Sequence, residues 1–126
     1  MSVLSSSGVV TFVLTRDREA SKAFYTDTLG LRFVADDPFA TVLEMNGAVL
    51  RIVHIDGYQA GPHPVLGWEV ADIAATIRAL VARGVTMTIY EGFGQDALGV
   101  WTSPDGKAKV AWFNDPDGNV LSLAQH

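Results

Sequence analysis

Arg51 is the residue with most chemistry to account for. It stands in Ala-Val-Leu-Arg-Ile-Val-His-Ile (48–55), a run that otherwise reads as an apolar strand. A guanidinium taken out of water without a partner is costly, so Arg51 calls for a negative group. Glu69, in Gly67-Trp68-Glu69-Val70, is one candidate. The other is a bound molecule whose carboxylate, phosphate or enolate accepts the guanidinium fork. Glu69 has a second reading, as a general base if its surroundings are apolar enough to raise its pKa, against an exposed strand-end glutamate. Trp112 and Trp101 offer flat faces on which an organic ring stacks, though mid-strand Trp112 reads more readily as core, while Trp101 stands beside a Gly-rich loop and reads equally as pocket mouth.

Other chemistries lack their residues. The chain has no cysteine, which removes disulfides, thiolate metal sites and Cys nucleophiles together. His54, His63 and His126 have no common spacing, and Ser21, Ser103 and Ser122 lie in no Gly-x-Ser-x-Gly elbow. The loop 91–99 is Gly-rich but fits no phosphate-cradling spacing; its glycines beside Gln95 and Asp96 suit a lid. Composition points the same way: 126 residues, 48% hydrophobic, 18% charged, net charge −5. That is a globular chain with no basic footprint for nucleic acid or anionic membrane, and no apolar run approaches a membrane helix. A cytoplasmic location is the expectation.

The positioning elements come in two similar sets. Val9–Thr15 is a strand, apolar on both faces and so expected to be covered on both. Asp17 caps a helix over Arg18–Leu29, with Ala20, Ala23, Phe24 and Thr28 on one face, and Gly30 stops it. Leu31–Ala35, Phe39–Met45 and Ala48–Ile55 follow as strands, the last two joined by the Asn46-Gly47 hairpin signal. After a Gly/Pro-rich link, Val65–Val70 is a strand and Asp72 a cap. Ile73, Ile77, Leu80 and Val81 then mark a helix that Gly84 ends. Val85–Tyr90, Val100–Ser103, Ala108–Phe113 and Val120–Ala124 read as strands. Val10 and Asp17 recur as Val65 and Asp72 at one offset, so the chain reads as a repeat.

Two stretches carry a resemblance. Ala23-Phe24-Tyr25-Thr26-Asp27-Thr28-Leu29-Gly30-Leu31 and the closing hairpin Ala111-Trp112-Phe113-Asn114-Asp115-Pro116-Asp117-Gly118-Asn119-Val120-Leu121-Ser122-Leu123 together resemble the vicinal-oxygen-chelate superfamily. That group includes glyoxalases, extradiol dioxygenases, fosfomycin-resistance enzymes and bleomycin-binding proteins. The resemblance implies an α+β fold of two tandem βαβββ units whose eight strands form a curved cup, one helix per unit outside. One domain (1–126) would hold a unit at 9–55, a linker at 56–64 and a unit at 65–124.

Metal-using members hold the ion with one side chain from the first and last strand of each unit, usually His, Glu or Gln. The matching positions here are Val10, Arg51, Val65 and Ser122, which cannot assemble a divalent site. No metal and no other cofactor is therefore expected. The resemblance points Phe12, Leu14, Arg51 and Val53 into the cup, with Trp101, Trp112 and Ser122 as further binding residues. The expected function is metal-free binding of a small organic molecule, anionic if Arg51 receives it, in the manner of bleomycin resistance. The alternatives are a lyase-like enzyme using Arg51 and Glu69, or a metal-dependent member with non-standard ligands. A homodimer is the expected assembly.

Overall fold

The computed structural model describes residues 3–126. Backbone contacts divide the chain into two compact units meeting between Tyr58 and Gln59. Among the described residues each unit is a four-stranded sheet with a helix, so the repeat seen in the sequence is a repeat of structure.

In the first unit, β1 (Val10–Thr15), β2 (Arg32–Asp36), β3 (Ala40–Met45) and β4 (Ala48–His54) assemble in the order β1-β4-β3-β2. Strand β4 is central, parallel to β1 and antiparallel to β3. Helix α1 starts where Asp17 accepts the Ala20 N–H at 3.2 Å. It is α-helical over Arg18–Ala23 and widens to a π turn over Phe24–Thr28. That widening moves the buried face. Ser21 and Tyr25 are fully buried, whereas Ala20 and Ala23, expected inside, are exposed. Gly30, at φ 79°, then reverses the chain into β2.

Strand β1 corrects a second expectation. Val13 and Thr15 are buried, but Val10 and Phe12 are 49% and 57% exposed, so only one face is covered within the chain. The strand is apolar on both sides without being buried on both.

In the second unit, β5 (Pro64–Glu69), β6 (Trp101–Thr102), β7 (Lys109–Asn114) and β8 (Val120–Gln125) take the order β5-β8-β7-β6, the same plan. Helix α2 (Ile73–Ala82) is capped by Asp72, whose carboxylate accepts the Ala75 N–H at 3.0 Å. It buries Ile73 and Ile77 and half-buries Leu80; Val81 lies outside the stripe, half-exposed. The β7–β8 turn is knit by one carboxylate. Buried Asp115 accepts the Asp117 and Asn119 N–H groups and the Asn119 side-chain amide, at 2.8–3.0 Å.

Val85–Tyr90 is not a strand. Met87 makes a single bridge to Phe113, and Thr88 N–H reaches the Trp112 carbonyl at 2.8 Å. The groups that would continue the ladder are taken by a side chain. Gln95 accepts the Tyr90 N–H at 2.7 Å and donates to the Thr88 and Gly99 carbonyls at 3.0 and 2.7 Å.

Candidate functional site

Cross-strand partners share a sheet face, so the registers sort the predicted site residues directly. In the first unit Phe12 is paired with Arg51 and Leu14 with Val53 across β1 and β4, and Val42 of β3 stands beside Arg51. All four predicted residues, Phe12, Leu14, Arg51 and Val53, therefore occupy one face. It is a largely apolar face that carries Arg51 on β4 and the Arg32–Glu44 pair toward β2. The opposite face holds the buried Val13, Leu50 and Ile52.

Arg51 has a partner that sequence reasoning missed. Its Nη2 lies 3.2 Å from Asp37 Oδ2, in the turn between β2 and β3. The other oxygen of Asp37 accepts the Phe39 and Ala40 N–H groups at 2.8 and 2.7 Å. These backbone donors, and after them Arg51, hold the Asp37 carboxyl below the usual carboxylate range. The remaining guanidinium donors of Arg51 make no other hydrogen bond among the described residues, and the side chain is 29% exposed. The ion pair thus fixes one edge of the fork. It leaves the rest facing the apolar strands. Beyond Val53, a cavity of about 600 Å³ opens between Arg16, Arg18, Pro38, Phe39 and His54.

Asp36, beside Asp37, anchors the same corner. It accepts from Thr41 Oγ1 at 2.6 Å and pairs with Lys22 at 3.2 Å, which together lower its pKa. The only sequence signal for this corner was Asp36-Asp37-Pro38 as a strand breaker.

In the second unit the register sets Trp112 beside Ser122 and Ser122 beside Gly67, with Val110, Ala124 and Glu69 in the next row and Trp101 beside Val110. Trp101, Trp112, Ser122 and Glu69 therefore share a face too. Trp68 points to the other side, stacked on buried Phe113 at 6.4 Å. Gly67 is a glycine for a reason of space: a Cβ there would stand 2.5 Å from Ser122 Oγ. Glu69 is exposed, and His126 Nδ1 lies 2.9 Å from its Oε1. It has none of the apolar enclosure a general base of raised pKa needs. The partners of Arg51 and Glu69 are thus Asp37 and His126, each from its own unit.

Two further residues join Trp112. Tyr90 packs edge-on against it at 5.4 Å and Phe93 at 6.0 Å, while Tyr90 and Phe93 touch each other at 5.3 Å. The signal for this corner was an aromatic pair in the Gly-rich stretch, which the lid reading noticed as loop and not as rings. The base of that loop is fastened by Gln95 and by Asp96, whose carboxylate accepts the Leu98 and Val100 N–H groups at 2.9 Å. The tip, residues 91–94, lies beyond these ties and is held through Phe93.

The donors do not fit a divalent metal. Val10 and Val65 offer no lone pair, Arg51 is a cation paired to Asp37, and Ser122 offers one hydroxyl. Among the described residues no three His, Cys, Asp or Glu side chains cluster closely enough to hold an ion.

Comparison with known proteins is consistent with this plan. A family model described as the Glyoxalase/Bleomycin resistance protein/Dioxygenase superfamily matches residues 9–123. A search of curated protein sequences found no match. Among solved structures, TnmS3, an antibiotic binding protein from Streptomyces sp. CB03234, is 27% identical with a TM-score of 0.69, covering 98% of each chain. A superfamily member from Sphaerobacter thermophilus is 24% identical with a TM-score of 0.74, covering 98% of this chain and all of its own. A lactoylglutathione lyase from Agrobacterium tumefaciens is 17% identical with a TM-score of 0.72, covering 98% of this chain and 96% of its own. A match that spans both units and both signature stretches settles the kinship: the chain belongs to the Glyoxalase/Bleomycin resistance protein/Dioxygenase superfamily.

Proposed function

We propose that this protein binds a small organic molecule with an aromatic part and holds it unchanged, rather than converting it. The observation that carries the reading is the aromatic corner Tyr90–Phe93–Trp112 on the same sheet face as Trp101 and Ser122. Rings of this kind give large, orientation-sensitive contact area to a flat ligand. In the first unit Arg51 is a separate candidate for receiving an anionic group, since part of its fork remains open beyond Asp37. The similarity to TnmS3, an antibiotic binding protein, agrees with sequestration. Conversion has less support, because Glu69 is solvent-exposed and the metal positions lack donors.

A homodimer, in the cytoplasm, completes the reading. Val10, Phe12 and Val65 leave apolar strand surface uncovered within one chain, and a second copy is the economical cover. The test is a thermal-shift screen of aromatic compounds and small acids, followed by mass spectrometry of the released ligand. Stabilisation with unchanged ligand mass is the expected result. Turnover of the bound compound overturns sequestration. A monomeric mass at micromolar concentration overturns the dimer.

A further inference from the structure

The loop that supplies Tyr90 and Phe93 is rigid at its base and loose at its tip. Gln95 ties Thr88, Tyr90 and Gly99 together, and Asp96 ties Leu98 and Val100. Within the tip, Phe93 is flanked by Gly92 at φ 85° and Gly94 at φ 68°, and both glycines face open space. Among the described residues one long backbone bond, Phe93 N–H to the Tyr90 carbonyl at 3.2 Å, is its only backbone hydrogen bond. What seats the tip is therefore the Phe93 ring itself, edge-on to Trp112 and 50% exposed.

Resting on the small-molecule reading above, we propose that Phe93 is a built-in stand-in for the ligand. Its ring rests against Trp112 and swings out on its two glycines when a planar aromatic group takes its place. The geometry separates this from a fixed wall. A wall needs a tip braced by several backbone bonds, whereas among the described residues Phe93 is held by one long backbone bond and by its ring contacts with Tyr90 and Trp112. It also names the ligand class. The incoming group must be flat and aromatic, because only a ring that gains more on Trp112 than Phe93 does can displace it. A saturated ring of equal bulk gains no such contact. Phe93 thus sets a threshold of affinity, since every ligand taken by Trp112 must first displace it, and the contact made on Trp112 decides which ligands pass it.

The experiment titrates wild-type, Phe93→Ala, Phe93→Leu and Trp112→Ala proteins with pyrene-1-carboxylate, and with cyclohexanecarboxylate as saturated acid, by calorimetry. Far-UV circular dichroism first establishes that each variant is folded. Phe93→Ala should bind pyrene-1-carboxylate about 2- to 12-fold tighter, the span of one aromatic pair, with Phe93→Leu in between. Its affinity for cyclohexanecarboxylate should not change. Trp112→Ala should bind the pyrene acid at least about tenfold more weakly than wild type. Weaker or unchanged binding by Phe93→Ala, with Trp112→Ala impaired, overturns the proposal and leaves the binding reading standing. Wild-type binding that Trp112→Ala retains puts the ring elsewhere and also overturns it. Binding of no probe by any variant overturns the small-molecule reading itself.

Discussion

The two units share one plan and spend their outer strand differently. In the first, β2 runs beside β3 with one register shift between Phe33 and Ala35 and is fastened by charge: Arg32 to Glu44 at 3.7 Å, Lys22 and Arg18 to Asp36 at 3.2 and 3.5 Å. Lys22 also sits 4.0 Å above the Phe33 ring. In the second unit the equivalent edge of β7 is shared by two fragments, the Met87–Thr88 contact and the two-residue β6, with the loop between them looping away. The first edge is finished as a sheet edge, with charged side chains that discourage further pairing. The second gives up ladder bonds to carry Tyr90 and Phe93 onto Trp112. Repetition supplied two scaffolds of one plan, and interrupting one outer strand brought three aromatic rings together on one of them.

If that is the right contrast, the largest effect belongs to the shared core. Tyr25→Ala empties a fully buried site in the first unit and should cost about 3–5 kcal/mol in urea denaturation. Next comes Gln95→Ala, which leaves the Tyr90 N–H and the Thr88 and Gly99 carbonyls without their partner. A loss of about 2–4 kcal/mol is expected, with a weakened near-ultraviolet aromatic dichroism from the corner. No single side chain in the β2 edge should matter as much. Arg32→Gln, removing an exposed pair, should change stability by less than about 1 kcal/mol.

Arg51→Met tests the other face. Its partner Asp37 is partly exposed, so stability should fall by no more than about 1 kcal/mol, while binding of an anionic ligand weakens by about 1.5–3 kcal/mol. Acid should expose the same corner. Asp36 and Asp37 both have folded pKa values below their unfolded ones, so their contribution is complete above the ordinary carboxylate value. It is lost as pH falls through the lowered values. Melting temperatures followed downward from pH 6 should drop less steeply in Asp37→Asn than in wild type. The smallest effect is Ser21→Ala. Its buried hydroxyl has no hydrogen-bond partner among the described residues, so replacement should be neutral or stabilise slightly in a melt.

What was legible in the sequence was what local rules decide. Asp17 and Asp72 cap, Gly30 and Gly84 stop, and Asn46-Gly47 turns at φ 47° and 89°, because each needs only its neighbours. Face assignments within strands followed from alternation, so the predicted residues of each unit fell together. Val85–Tyr90 failed for the opposite reason. Its β-branched pattern is genuine, but a glutamine farther along the chain takes the ladder's hydrogen-bonding groups. Asp37 as the partner of Arg51 was invisible for the same cause: the pair depends on where the β2–β3 turn is carried by the sheet. The aromatic corner combines both problems, since it needs the interrupted edge and the sheet register together.

The strand order has a consequence for synthesis. In each unit the central strand is the last one made: β4 lies between β1 and β3, and β8 between β5 and β7. As the chain leaves the ribosome, β1 has no neighbour until His54 has emerged, and β5 none until Gln125 has. Until then β1 offers bare hydrogen-bonding groups and apolar side chains on both faces, a condition prone to wrong pairing. Neither sheet can be nucleated from its beginning. A ribosome that stalls before Ala48, or again before Val120, holds out a helix and three strands with a vacancy at the centre of the sheet.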